Sequence, residues 1–196
     1  MSDAATQIAT GKLDRLYDAI EAVLPGVTHQ VVQMAVWDSL DEFCTKSTFW
    51  RATVQWVLQP NVQAVNLNPV AGNALVRHVI AVRGITRWRV EPPATIVDLI
   101  PNGEARSGQA RVVLKPSRLS GELPSSLIDD WHQAIRDGAL AQLYGQPAKP
   151  YSSGVLAQYH RRQFWSGIRE ARSSAMRYNS GEQTSGWWFP QPIPGR

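Results

Sequence analysis

Residues 123–178 read LPSSLIDDWHQAIRDGALAQLYGQPAKPYSSGVLAQYHRRQFWSGIREARSSAMRY, and two helical periodicities separated by a proline-studded turn decide the fold. Leu127, Trp131, Ala134, Ile135 and Gly138 recur at the i, i+4, i+7, i+8, i+11 spacing of one helix face. Pro124 is tolerated in a first helical turn, and Ser126 three residues before Asp129 resembles a capping box. Gly145 and Pro147 end the run. Ser152 is placed to cap a second helix, whose apolar or small face is Ala157, Phe164, Ile168, Ala171, Ala175 and Tyr178. A connection of about five residues favours antiparallel neighbours, so this stretch predicts a helical hairpin.

Upstream, the first eleven residues are polar and read as an arm. Leu13, Leu16, Tyr17, Ile20 and Leu24 then mark an amphipathic helix ended by Pro25-Gly26. Thr28 is a candidate cap for the next helix. Its main face is Val32, Val36, Leu40 and Phe43, with Trp37 and Cys44 alongside, and it runs to about Phe49. Residues 1–50 are thus a helical pair that joins residues 119–178 in one four-helix bundle.

Between the pairs, residues 51–118 change character. Val54, Trp56 and Leu58 alternate, as do Val65 and Leu67, and then Val76, His78, Ile80 and Val82. Trp88 and Val90, Ile96, Val97 and Leu99, and Ala110, Val112 and Leu114 follow, with breakers between the runs. Short β-branched and aromatic runs at this spacing predict a small antiparallel β region inserted into the bundle. Pro101-Asn102-Gly103 is the strongest turn signal, and residues 104–109 read as an exposed loop. Beyond Tyr178, residues 179–196 carry Trp187, Trp188 and Phe189, then Pro190, Pro192 and Pro194. Proline removes backbone donors and restricts its predecessor, so this arm is expected to be extended. The fold class is therefore mainly α, a four-helix bundle with an inserted β region and an extended C-terminal tail.

The 196 residues, 43% of them hydrophobic, suffice to bury a core as one domain or one domain with an insertion. No apolar run is long enough for a membrane span, and the N-terminus lacks a signal-peptide pattern. A lone Cys44 excludes an intrachain disulfide and fits a reducing compartment. Charge is unevenly placed. Residues 1–50 hold three Lys/Arg against seven Asp/Glu, residues 51–123 hold nine against four, and residues 152–178 hold five Arg against one Glu. Such asymmetry points to a nucleic acid, an acidic partner, or copies meeting acidic face to basic face.

Catalytic and metal motifs are thin. There is no paired-Cys spacing, no His-Glu-x-x-His, no phosphate loop and no Gly-x-Ser-x-Gly. His29, His78, His132 and His160 are scattered and read as structural. Asp38, Asp41 and Glu42 share one helical turn, where a cation or a subunit-facing acidic stripe is possible. Asp129 and Asp130 suit the positive end of a helix. No cofactor is expected and no enzymatic role is assigned. Arg161, Arg162, Arg169, Arg172 and Arg177, interleaved with Tyr159 and Trp165, suit phosphate or an acidic protein surface.

Taken in order, several segments carry a resemblance: Val112-Val113-Leu114-Lys115-Pro116-Ser117, Leu123-Pro124, Ala134-Ile135-Arg136-Asp137-Gly138-Ala139-Leu140-Ala141, Pro147-Ala148-Lys149-Pro150-Tyr151, Leu156-Ala157-Gln158-Tyr159-His160 and Phe164-Trp165-Ser166-Gly167-Ile168. Their order resembles the head-to-tail adaptor proteins of short-tailed phages, of the tail-tubular-protein-A kind, over roughly residues 110–178. The resemblance implies a structural virion protein of the neck, assembled in the host cytoplasm. About twelve copies would form a ring beneath the portal protein, extend the channel through which genomic DNA passes, and offer a surface to a nozzle or tail tube protein. It implies portal binding by Trp187, Trp188, Phe189 and Pro190. Arg161, Arg162, Arg169 and Arg172 are expected between protomers, and Asn102, Glu104 and Arg106 toward the tail. No membrane partner is expected. The rival readings are a DNA-binding module using the Arg-rich fourth helix and an enzyme with a dispersed site.

Overall fold

The computed structural model describes residues 3–68, 74–92, 94–99, 104–117 and 123–179, with side chains from Gly11 to Arg177 within those ranges. Helices α1 (Asp3–Glu21) and α2 (His29–Ser47) precede six strands, and α3 (Ser125–Tyr144) and α4 (Gly154–Asn179) follow them. The chain is mainly helical with a β insert, as the periodicities require. Helix α3 packs against each of the other three helices, most extensively against α4. Its sequence explains this centrality, since apolar or small side chains occupy nearly every inward direction: Leu127, Ile128, Ala134, Ile135, Ala139, Leu140 and Leu143 are all buried. They join Ile20, Val36, Leu40, Phe43, Phe164 and Ile168 in one core.

Two glycines set how closely the helices approach. A Cβ on Gly138 would stand 2.9 Å from both the Phe164 ring and Ser39 Oγ, and one on Gly167 would stand 2.5 Å from Ala134 Cβ. Both glycines weaken helix propensity by about 1 kcal/mol relative to Ala, and close packing is what each returns.

The insert holds β1 (Arg51–Leu58), β2 (Ala64–Asn66), β3 (Leu75–Arg83), β4 (Trp88–Glu91), β5 (Thr95–Asp98) and β6 (Arg106–Lys115). They divide into two three-stranded antiparallel sheets, β1-β6-β3 and β2-β5-β4, whose facing sides share a second core around Trp56, Val82, Ile96 and Val112. Strand β6 alternates by the pleat. Ala110, Val112 and Leu114 enter that core, while β6 also packs on α2, where Lys115 Nζ lies 3.3 Å from Asp41 Oδ1. Bundle, first sheet and second sheet are therefore stacked layers.

Several local expectations are corrected. The first eleven residues are not an arm: α1 begins at Asp3. Helix α2 stops at Ser47, because Thr48 takes a left-handed φ of 54° and returns its N–H to Cys44. Thr28 occupies the N-cap position of α2 without a side-chain bond. Pro124, not Ser126, is the N-cap of α3. Asp129 instead meets Lys12 of α1 at 2.6 Å. Ser153 rather than Ser152 caps α4, its Oγ accepting from Leu156 N–H at 3.4 Å. Residues 106–109 are not loop but the start of β6, paired with β1 from Leu58↔Arg106 to Gln55↔Gln109. Short β2 and β4 pair with β5 alone, so the six strands make two sheets.

Candidate functional site

Helix α4 presents two unlike faces. Phe164, Ile168, Ala171 and Ala175 are buried, as their spacing predicts. On the opposite side, Val155, Tyr159, Arg162, Arg169, Ser173 and Met176 fall at i, i+4, i+7, i+14, i+18 and i+21. No element among the described residues covers them: Val155 is 80% exposed, and Tyr159 and Met176 are each 54% exposed. Arg161, Arg162, Arg169 and Arg172 are exposed, and among the described residues none of the four meets a carboxylate. Arg169 Nε donates only back to the Trp165 carbonyl of its own helix, at 3.3 Å. Large apolar side chains interleaved with Arg and Tyr match the composition of protein interfaces. The helix is 26 residues long, so this face runs about 39 Å.

The acidic N-terminal half is less available than its charge count suggests. Asp41 is engaged by Lys115, and Glu21 Oε1 lies 2.6 Å from His29 Nδ1. Asp14 and Asp18 of α1 stay exposed. Asp38, Asp41 and Glu42 form no cation site: among the described residues there is no group of three or more His, Cys, Asp or Glu able to hold a metal.

A groove follows the flank of α4 where α3 and the start of β1 meet it, with a volume of about 1030 Å³. Phe49, Trp50 and Trp131 supply aromatic surface, Gln133 and Gln163 amides, and Ala134 and Gly167 the close helix approach. Asp130 and Glu170 are exposed carboxylates along it, and Arg51 is held by Thr48, Nε to the carbonyl at 2.7 Å and Nη2 to the hydroxyl at 2.9 Å. The Trp131 ring packs on Phe43 and Phe49, and its buried indole N–H has no acceptor among the described residues. Beside the groove, His160 Nδ1 and Asp137 Oδ1 lie 2.8 Å apart with side-chain exposures of 17% and 8%. His160 also stacks on Tyr144, with centroids 5.6 Å apart and planes within 8°. One half-turn of α3 thus carries a buried carboxylate whose partner comes from α4, which locks the register of the two helices.

The remaining sequence candidates separate. Arg106 Nη1 lies 2.7 Å from Asp98 Oδ2, a carboxylate with 3% side-chain exposure, so this arginine bridges the two sheets. Glu104 is exposed just before β6. Asn102, Trp187, Trp188, Phe189 and Pro190 lie outside the described residues. His29, His78 and His132 are exposed and far apart in the fold order, in keeping with structural or surface roles. Partial desolvation of its ring beneath the exposed surface, then the Arg77 and Arg51 charges, hold the His78 pKa below its ordinary value. Burial, with the Asp41 charge adding, pushes the Cys44 thiol up, which makes it inert. Sequence reasoning missed the Asp137–His160 pair and the groove. Asp137 between Ile135 and Gly138 was the available signal, a charge on the apolar side of its helix. The groove has none, because three separate segments build it.

No described helix is long and apolar enough to cross a membrane. Compared with known proteins, the chain matches no family model and no curated protein.

Proposed function

We propose that this chain is a structural adaptor of the head-to-tail connector kind, a virion protein that forms a ring between portal and tail. The outer face of α4, which no described element covers, carries this reading, since its exposed Val155, Tyr159 and Met176 and its Arg162 and Arg169, neither of which meets a carboxylate among the described residues, suit a protein contact. The face pairs with a different surface of a neighbouring copy, the α1 side bearing Asp14 and Asp18. Contact between two unlike patches is heterologous, and heterologous contacts close into rings when the rotation permits. Complementary charge sets register and encounter rate. In the same reading, Trp187, Trp188, Phe189 and Pro190 bind the portal protein, Asn102 and Glu104 face a nozzle or tail tube protein, and DNA passes through the channel without specific contacts. Arg106 serves here as a support of that region through Asp98 rather than as a contact.

The test is the mass of the complex formed with the portal. Wild type is expected to add a ring of copies, and Arg162→Glu/Arg169→Glu to keep its circular dichroism and melting temperature but fail to add it. Normal ring assembly by that variant at low salt refutes the α4 contact. A second reading, a DNA-binding module on the same helix, has in its favour Arg161, Arg162, Arg169 and Arg172, none of which meets a carboxylate among the described residues. It requires an electrophoretic shift with steep salt dependence that the double variant loses.

A further inference from the structure

We infer that the groove between α3 and α4 receives the proline-rich C-terminal segment of the same chain, residues 187–192. The groove is aromatic along Phe49, Trp50 and Trp131 and offers hydrogen-bond donors from the exposed amides of Gln133 and Gln163. Residues 187–192 read WWFPQP. Pro190 and Pro192 remove two of the six backbone N–H groups and leave all six carbonyls, and grooves lined by aromatic rings and side-chain donors recognise such a backbone. Trp and Phe rings supply the matching apolar surface. Charge rejects the other obvious occupant: Asp130 and Glu170 along the groove repel a nucleic-acid backbone, whereas residues 187–196 carry Arg196 and no acid.

Chain geometry permits the return. Helix α4 ends at Asn179, about one turn past Ser174 and Ala175, which line the near end of the groove. From Ala175 back to Gln163 is about 18 Å of helix, and six residues of polyproline II span about 19 Å. Residues 180–186 supply up to about 25 Å of chain to reverse direction. The segment occupies the groove in the free monomer, and the portal contact proposed for Trp187, Trp188, Phe189 and Pro190 requires its release, so the cross-link in the monomer and ring assembly on the portal are separate readouts.

The test places a benzophenone amino acid at Gln163 of the full-length chain, with Glu170 as a second position should the first variant misfold. After irradiation, peptide mapping of the monomer band is expected to join this position to the fragment that follows Arg177. The same probe at Arg172, on the other flank of α4, is expected to give at least tenfold less. Equal yields from positions 163 and 172, or no product from either groove position, overturn the proposal. Product confined to the dimer band overturns the same-chain assignment.

Discussion

Replacing His160 by Phe isolates the bond that ties α4 to the middle of α3. The phenyl ring keeps the stack on Tyr144, whose centroid lies 5.6 Å away, but removes the partner 2.8 Å from Asp137 Oδ1. Asp137, with 8% side-chain exposure, then retains only a 3.5 Å contact from Gln133. Stranding a charge costs about 3–5 kcal/mol when both partners are fully buried, and a hydrogen bond to a charged group contributes about 1.5–3 kcal/mol. Because His160 is 17% exposed, water reaches this pair, and the cost falls below that of a fully buried pair, to about 2–3 kcal/mol. For a chain of this length that lowers the melting temperature by about 5–10 °C. The assay is urea unfolding followed by circular dichroism, with a lowered midpoint at constant slope. The companion variant Asp137→Asn removes the charge, and His160→Phe/Asp137→Leu is expected to recover part of the loss, since no unpaired charge remains. A cost below about 0.5 kcal/mol for His160→Phe refutes the reasoning, because it would mean that the pair is solvated and the two helices are registered by packing alone.

Three further outcomes are expected. Gly108→Ala should prevent the two sheets from forming or cost more than about 3 kcal/mol, because the new Cβ would stand 2.0 Å from the Arg83 carbonyl oxygen and 2.4 Å from the Trp56 ring; an unchanged urea midpoint would show that β3 and β6 can part there freely. Cys44 should resist a thiol reagent in the native protein and react fully in denaturant, its thiol pushed up by burial; rapid native labelling contradicts that burial. His78 should titrate below its usual value of about 6.5 in an NMR experiment. Its folded pKa is lowered, so the unfolded chain binds more protons through that window and stability is lost as pH falls below about 6.5; His78→Gln should flatten that limb of the stability profile, and an unaltered limb would assign the acid sensitivity to other groups.

Sequence by itself determined the element order and the faces. Period-3.6 spacing placed Leu127, Ile135, Phe164 and Ile168 inward, and period-2 spacing placed Val112 and Leu114 on one side of their strand, because helix and pleat geometry fix where successive side chains point. Tertiary structure decided what those side chains meet. Glycines read as local helix features became the points where α3 touches α4 and α2. The acidic stripe of α2 lost Asp41 to Lys115, 74 positions away in sequence. Loop-like residues 106–109 became strand, because Leu58 and Gln55 supplied partners that no local pattern announces. The outer face of α4 was legible from its arginines, whereas the absence of a covering element among the described residues was not. Local periodicity encodes direction, but pairing across long separations is set by which surfaces the whole chain brings together, and the groove along α4 exists only once three distant segments are packed side by side.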